Sequence, residues 1–169
     1  MKQIVGYSEY RLLLDRFVSL VQGTLGNQVI SIVLYGSVAR GKAGPESDID
    51  VLLVVEDASP AYWRRLEPLL PVLRQLRKES YWREIESRGS FPSMSVLVLS
   101  REEADQNRNL YLDMIEEARI LVDQDGFFQE RLNVLRRRLQ ALGARKVRRD
   151  GQWYWDLKPD LMPGESVAL

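Results

Sequence analysis

Residues 34–54 read Leu-Tyr-Gly-Ser-Val-Ala-Arg-Gly-Lys-Ala-Gly-Pro-Glu-Ser-Asp-Ile-Asp-Val-Leu-Leu-Val, and this stretch leaves the chain few ways to fold. An apolar run rich in β-branched residues, Val29 to Tyr35, enters it, and a second apolar run, Val51 to Val55, leaves it. Both runs have the length and composition of buried strands. Between them lies a loop, Gly36 to Ser47, opened by a Gly-Ser pair and closed by Ser47-Asp48-Ile49-Asp50. Side chains alternate across a strand, so Asp48 and Asp50 point the same way from the start of the second strand. Two carboxylates held side by side repel each other unless a cation lies between them, and an all-oxygen donor pair suits a hard ion such as Mg²⁺.

What the chain lacks concentrates the chemistry on this loop. There is no cysteine and no histidine in the 169 residues. That excludes disulfides, Cys-ligated zinc, thiol nucleophiles, imidazole bases and Ser-His-Asp triads. Basic and acidic residues balance at 24 each, so a basic surface for nucleic acid has to be local. The length suits one domain, with hydrophobic residues at 45% of the chain, enough for a real core. Met1 to Tyr10 has no signal-peptide pattern, and no apolar run approaches the ~18 residues of a membrane span. The expectation is a soluble, cytoplasmic protein.

In chain order, Ser8 is read as the N-cap of a first helix carrying Leu12, Leu13, Phe17, Leu20 and Val21, ended at Gly23 or Gly26. Ser59-Pro60 is read as the next helix start. Pro68 and Pro71 divide the segment beyond it into one short helix and a longer one running from about Pro71 into Ser87. Ser93 to Leu99 alternates as a strand, with Ser93, Ser95 and Leu97 on one face and Met94, Val96 and Val98 on the other. Ser100 and Glu103 form a capping box, and Asn109 restarts a helix with Leu112, Ile115 and Ala118 inward. Ile120 to Val122 is a short edge strand. Phe127 to Leu142 is a helix stopped by Gly143, and Asp150-Gly151 turns a hairpin between Arg145–Arg149 and Gln152–Asp156. The tail from Leu157 to Leu169 reads as irregular.

Chemically, Gly36 lets backbone come close to a phosphate, and Ser37 offers a hydroxyl and an N–H. A helical turn at Val38 to Arg40 would present further N–H groups to the anion, and Arg40 and Lys42 add positive charge. Asp48 and Asp50 would hold a Mg²⁺ that bridges phosphate oxygens. Such an assembly fits transfer of a nucleoside monophosphate from a nucleoside triphosphate to an acceptor hydroxyl.

The pattern Gly36-Ser37-x-Ala39-Arg40-Gly41, then Ser47-Asp48-x-Asp50, resembles the signature of the DNA-polymerase-β-like nucleotidyltransferases, most of all the minimal nucleotidyltransferases of archaea and bacteria. The resemblance implies an α/β (α+β) fold: a mixed, twisted sheet with helices packed on one side, here with a C-terminal helix and hairpin added. Residues 1–125 would form the nucleotidyltransferase domain, and 126–169 the extension packed on it. It implies Asp48 and Asp50 as catalytic metal ligands for Mg²⁺. It also implies Gly36 and Ser37 as triphosphate contacts; Arg40, Lys42 and Ser47 are candidate nucleotide contacts beside them, and ATP is the expected donor as the most abundant nucleoside triphosphate. Members of this kind act with a separate helical partner of the HEPN type, so a partner protein or a homodimer is expected to complete the cleft, with AMPylation of that partner as an antitoxin would perform it.

One departure stands out. The family places a third carboxylate on a following strand, and here that position falls at Ser95 or Ser93. Glu84, Glu86 and Asp156 are the acids that could reach in from elsewhere. The alternative reading is therefore a catalytically weakened nucleotide-binding or antitoxin-like regulatory module. Away from the loop, Arg131 to Arg149 holds eight basic residues and no acid, read first as a solvated face and second as an RNA patch. Trp153, Tyr154 and Trp155 read as sheet packing ahead of a base-stacking platform.

Overall fold

A computed structural model describes residues 6–162. Its elements are α1 (Tyr7–Leu25), β1 (Val29–Tyr35), α2 (Gly36–Ala39), β2 (Asp48–Val55), α3 (Tyr62–Leu66), α4 (Leu69–Leu76), α5 (Ser80–Ser87), β3 (Ser93–Ser100), α6 (Arg101–Asp105), α7 (Asn109–Glu117), β4 (Arg119–Asp123), α8 (Phe127–Ala141), β5 (Arg145–Arg149) and β6 (Gln152–Asp156). Four strands form one mixed sheet in the order β3-β2-β1-β4. β1 runs antiparallel to both β2 and β4, while β2 and β3 are parallel. β5 and β6 form a separate antiparallel hairpin.

The mixed sheet with packed helices is as expected, but the helices cover both faces rather than one. Ile32, Leu34, Ile49, Val51, Leu53 and Val96 pack with α1, α4 and α5. Ile30, Val33, Leu52, Val54 and Leu99 pack with α6, α7 and α8. The cause is in β1 and β2, whose apolar residues run without alternation, and a strand apolar on both faces has to be covered twice. On the second face Tyr111 of α7 meets Phe128 of α8 edge to face, with ring centroids 5.2 Å apart.

Several helix boundaries differ from the sequence reading. α1 is capped by Gly6: Glu9 accepts the Gly6 N–H at 2.8 Å, and the Ser8 hydroxyl turns to the same carboxylate at 2.9 Å. Those two bonds hold Glu9 below the usual carboxylate range. α3 starts at Tyr62, later than Ser59-Pro60, because the Ser59 hydroxyl accepts the Ala61 N–H and delays the first turn. The long helix expected from Pro71 is two. Pro71 lies in the first turn of α4, where its missing N–H costs nothing, and the chain breaks at Glu79, whose backbone is extended and whose carboxylate accepts from Arg16 of α1 at 2.7 Å. α8 stops at Ala141 with Gly143 in the left-handed region behind it. Of the expected irregular tail, 157–162 carries no helix or strand, and 163–169 lie outside the described residues.

Two further contacts fix the frame. β3 is an edge strand, and α3 covers its outward carbonyls: the Tyr62 hydroxyl donates to Val96 O and Arg65 to Val98 O. Arg65 also makes a two-pronged bond to Glu103, at 2.6 and 2.9 Å, which joins α3 to the α6 capping box. At the far edge, Asp123 accepts the buried Ser31 hydroxyl and the N–H groups of Phe128 and Gln129, so one carboxylate ties β1 to the start of α8.

Arg65→Ala strips the Val98 carbonyl and the Glu103 carboxylate of their partner. Equilibrium urea unfolding is expected to show a loss of about 1–3 kcal/mol, and a change within error would mean that the edge is held without it.

Candidate active site

The site is built where β1 ends and β2 begins. Tyr35 pairs with Asp50 across β1 and β2, and Asp50 pairs with Ser95 across β2 and β3. The chain leaves Tyr35 into Gly36, whose φ is +73°. A Cβ at Gly36 would lie 2.1 Å from an Asp50 carboxyl oxygen, so the Asp50 carboxyl packs directly against the Gly36 backbone. Only glycine serves there on both counts, conformation and space.

From Gly36 the chain makes the single turn α2 and closes on itself: Arg40 N–H donates to Gly36 O, and Lys42 N–H to Ser37 O. Val38, Ala39 and Ala43 are buried and anchor the loop in the core. The Ser47 hydroxyl accepts the Gly44 N–H at 2.9 Å and closes the far side of the loop. The start of α1 buttresses the outside, since a Cβ on Gly6 would meet the Gly41 Cα at 2.9 Å.

Asp48 and Asp50 share the face that carries Leu52 and Val54 further along β2. Asp48 is exposed and Asp50 is half-buried. Burial, then the neighbouring Asp48 charge, push the Asp50 carboxyl above its usual range, while Arg40 and a hydrogen bond from Ser95 work against the shift. Tyr35 is raised too, by burial and then by the Asp50 charge. The site is thus short of positive charge. The donor set is oxygen only, it is crowded, and its half-buried member holds its proton too tightly. That is the chemistry of a pair suited to a divalent hard cation completed by phosphate oxygens, so the residues fit Mg²⁺.

The other acids that the sequence offers to complete the pair lie elsewhere. Ser95 stands opposite Asp50 and Ser93 opposite Asp48. Glu84 pairs with Arg88, and Glu86 accepts from Trp82 Nε1 at 2.9 Å; both ride α5, whose buried residues belong to the opposite face of the sheet. Asp156 lies 3.5 Å from Arg145 on the hairpin. Among the described residues no group of three or more carboxylates converges on one point.

Sequence reasoning missed the other wall. Arg40 reaches across to Glu117 of α7 at 3.1 Å. Tyr35, Gly36 and Arg40 face Leu110, Asp113 and Met114 across a cavity of about 200 Å³. A larger cleft of about 550 Å³ continues from Arg40 and Lys42 past Asp113 and Glu116 to Lys146 and Trp153. The available signal was the spacing of Asp113, Glu116 and Glu117, which puts three acids on one side of a helix. The Arg131–Arg149 segment is largely spent on structure: Arg131 pairs with Asp105, Arg136 donates to Ile115 O, Arg137 pairs with Glu130, and Lys146 pairs with Glu116.

Two substitutions test this geometry. Gly36→Ala forces a side chain onto Asp50 at positive φ and should lower stability by more than about 1 kcal/mol; unchanged unfolding would contradict the close approach. Asp50→Asn should act in the opposite direction. A carboxyl raised in the folded state stabilises below its unfolded value of 3.8 and loses that contribution as pH rises through the folded value. Without divalent ions, Asp50→Asn is expected to melt higher than the parent at pH 7 and to lack that fall, read by thermal melts from pH 3 to 7. A lower melting point at pH 7 would count against the crowded pair.

Comparison with known proteins bears on these residues. The family described as the nucleotidyltransferase domain matches residues 12–122, which include the whole loop and both aspartates. A relative from Methanocaldococcus jannaschii, named "Putative protein adenylyltransferase", is 28% identical over 134 residues, covering 77% of this chain and 85% of that protein. Among solved structures, a toxin–antitoxin with AMP-PNP is 16% identical at a TM-score of 0.42, covering 75% of this chain and 89% of its own. The toxin–antitoxin MntA-HepT is 15% identical at a TM-score of 0.40, covering 78% of this chain and 90% of its own. The family match spans well over half of the chain and contains the loop just described: this protein belongs to the nucleotidyltransferase domain family and is a transferase of that kind.

Proposed function

We propose that the chain transfers AMP from ATP to a hydroxyl on an acceptor protein, with Mg²⁺ held by Asp48 and Asp50. The observation that carries this reading is the contact between the Gly36 turn and the Asp50 carboxyl, which puts phosphate-accepting backbone and metal-type ligands at one point. Gly36 and Ser37 would take the phosphates through backbone N–H groups and the Ser37 hydroxyl. Lys42 adds charge from the loop, and Arg40 does so when it leaves Glu117. Ser47 keeps the loop closed through Gly44. Bound Mg²⁺ would neutralise charge on the phosphates and polarise the phosphorus under attack.

In the transfer the acceptor oxygen bonds to the α-phosphorus, and the bond from that phosphorus to the α–β bridging oxygen breaks. Pyrophosphate leaves with the electron pair, and the hydroxyl proton passes to water. A protein acceptor is supported by the named activity of the Methanocaldococcus jannaschii relative. A helical protein of the HEPN type is the first acceptor to try, and a second copy of this chain the next. A second reading, a slow enzyme that serves mainly as a nucleotide-responsive module, is favoured by one observation: Ser95 faces Asp50 where a third carboxylate would take the proton.

Incubation with ATP labelled at the α-phosphate, Mg²⁺ and candidate acceptors separates the two. Label on protein, absent with γ-labelled ATP and reduced at least a hundredfold in the Asp48→Ala, Asp50→Ala double variant, is expected of the transferase. Ser95→Asp is expected to raise the rate. Saturable Mg–ATP binding with no label on any acceptor would favour the module, and no binding at all would overturn both readings.

A further inference from the structure

The aromatic run in β6 splits in the structure. Trp155 packs into the core of the second sheet face, whereas Trp153, two residues away on the same side of the hairpin, is 61% exposed and lines the 550 Å³ cleft. Lys146, opposite Trp155, is fixed to α7 by Glu116 at 3.0 Å and Glu117 at 3.7 Å. The hairpin is therefore held at its base; further out Arg148 pairs with Trp153, its guanidinium 5.9 Å from the indole centroid, and Trp153 lines the cleft. The hairpin lies beyond the stretch matched by the family, which ends at residue 122, whereas the α7 carboxylates that hold it lie within that stretch.

We propose that this cleft is the nucleoside subsite, where the ribose hydroxyls meet the carboxylates of α7 and the base lies on Trp153. The proposal rests on the reading of Gly36, Ser37 and the aspartates as the phosphate end of the same ligand. Four observations support it. The cleft is continuous with that end, because Arg40 and Asp113 line both it and the small cavity that reaches Gly36. Its volume lies within the range of about 300–1,000 Å³ usual for small-molecule sites. Its charged lining is balanced, with Asp113, Glu116 and Glu117 against Arg40, Lys42 and Lys146, so neither a polyanion nor a polycation is favoured. What such a lining does favour is a neutral group rich in donors: carboxylates accept from ribose hydroxyls and exocyclic amino groups, and an exposed indole offers a stacking face.

Calorimetric titration of the full chain with Mg–ATP and, separately, Mg–tripolyphosphate tests this. The parent protein should bind ATP more tightly than tripolyphosphate. Trp153→Ala should weaken ATP by about 5- to 100-fold while leaving tripolyphosphate within twofold, and Trp153→Phe should recover most of the loss. Asp113→Asn should weaken ATP more than 2′,3′-dideoxy-ATP if that carboxylate takes the ribose. Equal affinity of the parent for ATP and tripolyphosphate would overturn the subsite while leaving the phosphate end intact. So would parental ATP affinity in Trp153→Ala, including the case in which only the acceptor's KM rises. Failure of both ligands to bind the parent would overturn the phosphate reading beneath it and the subsite together.

Discussion

Everything at the site depends on the contact between the Asp50 carboxyl and the bare Cα of Gly36. Gly36 takes positive φ at this point, and the chain turns at once into α2. The contact half-buries one of two neighbouring carboxylates, which raises the proton affinity of Asp50. It also brings the turn beside the acids, and the proposed phosphate and metal roles rest on that juxtaposition. The contact is costly for a folded chain, since a desolvated carboxylate beside a second one is unfavourable without a counter-charge. The rest of the fold carries that cost: buried Val38 and Ala43, the Gly6–Gly41 approach and the four-stranded sheet all hold the loop in place.

The loop and its strands were legible in the sequence because their signals are local. A Gly-Ser pair, two acids one residue apart and two apolar runs need no tertiary information to be read. The β3 alternation was legible for the same reason, and it put Ser95 correctly on the face of Asp50. The helix starts at Ser8 and Ser59 differ from their sequence signals because the Ser8 hydroxyl turns to the adjacent Glu9 carboxylate and the Ser59 hydroxyl accepts the N–H two residues on. Cover on both sides of the sheet is implicit in the unbroken apolar runs, although the family resemblance points to one side alone.

The second wall was not legible. Arg40 facing Glu117 and Lys146 facing Glu116 are separated by 77 and 30 positions, and nothing in a charge pattern reveals such pairings in advance. The fate of the two tryptophans depends likewise on which end of the hairpin meets α7. The basic segment, read first as a solvated face and second as an RNA patch, instead finds partners within the fold for Arg131, Arg136, Arg137, Arg145 and Lys146.

Asp123 joins these parts. It ends β4 one residue past the stretch the family accounts for, and its single carboxylate holds Ser31 of the sheet and two amides in the first turn of α8, those of Phe128 and Gln129. The hairpin bearing Trp153 follows α8 in the chain and is tied to α7 through Lys146. The loop within the family match and the segment beyond that match therefore meet at a corner bracket on the far edge of the sheet. The hairpin beside the cleft is thus held from two directions, through α8 by that bracket and through Lys146 by α7.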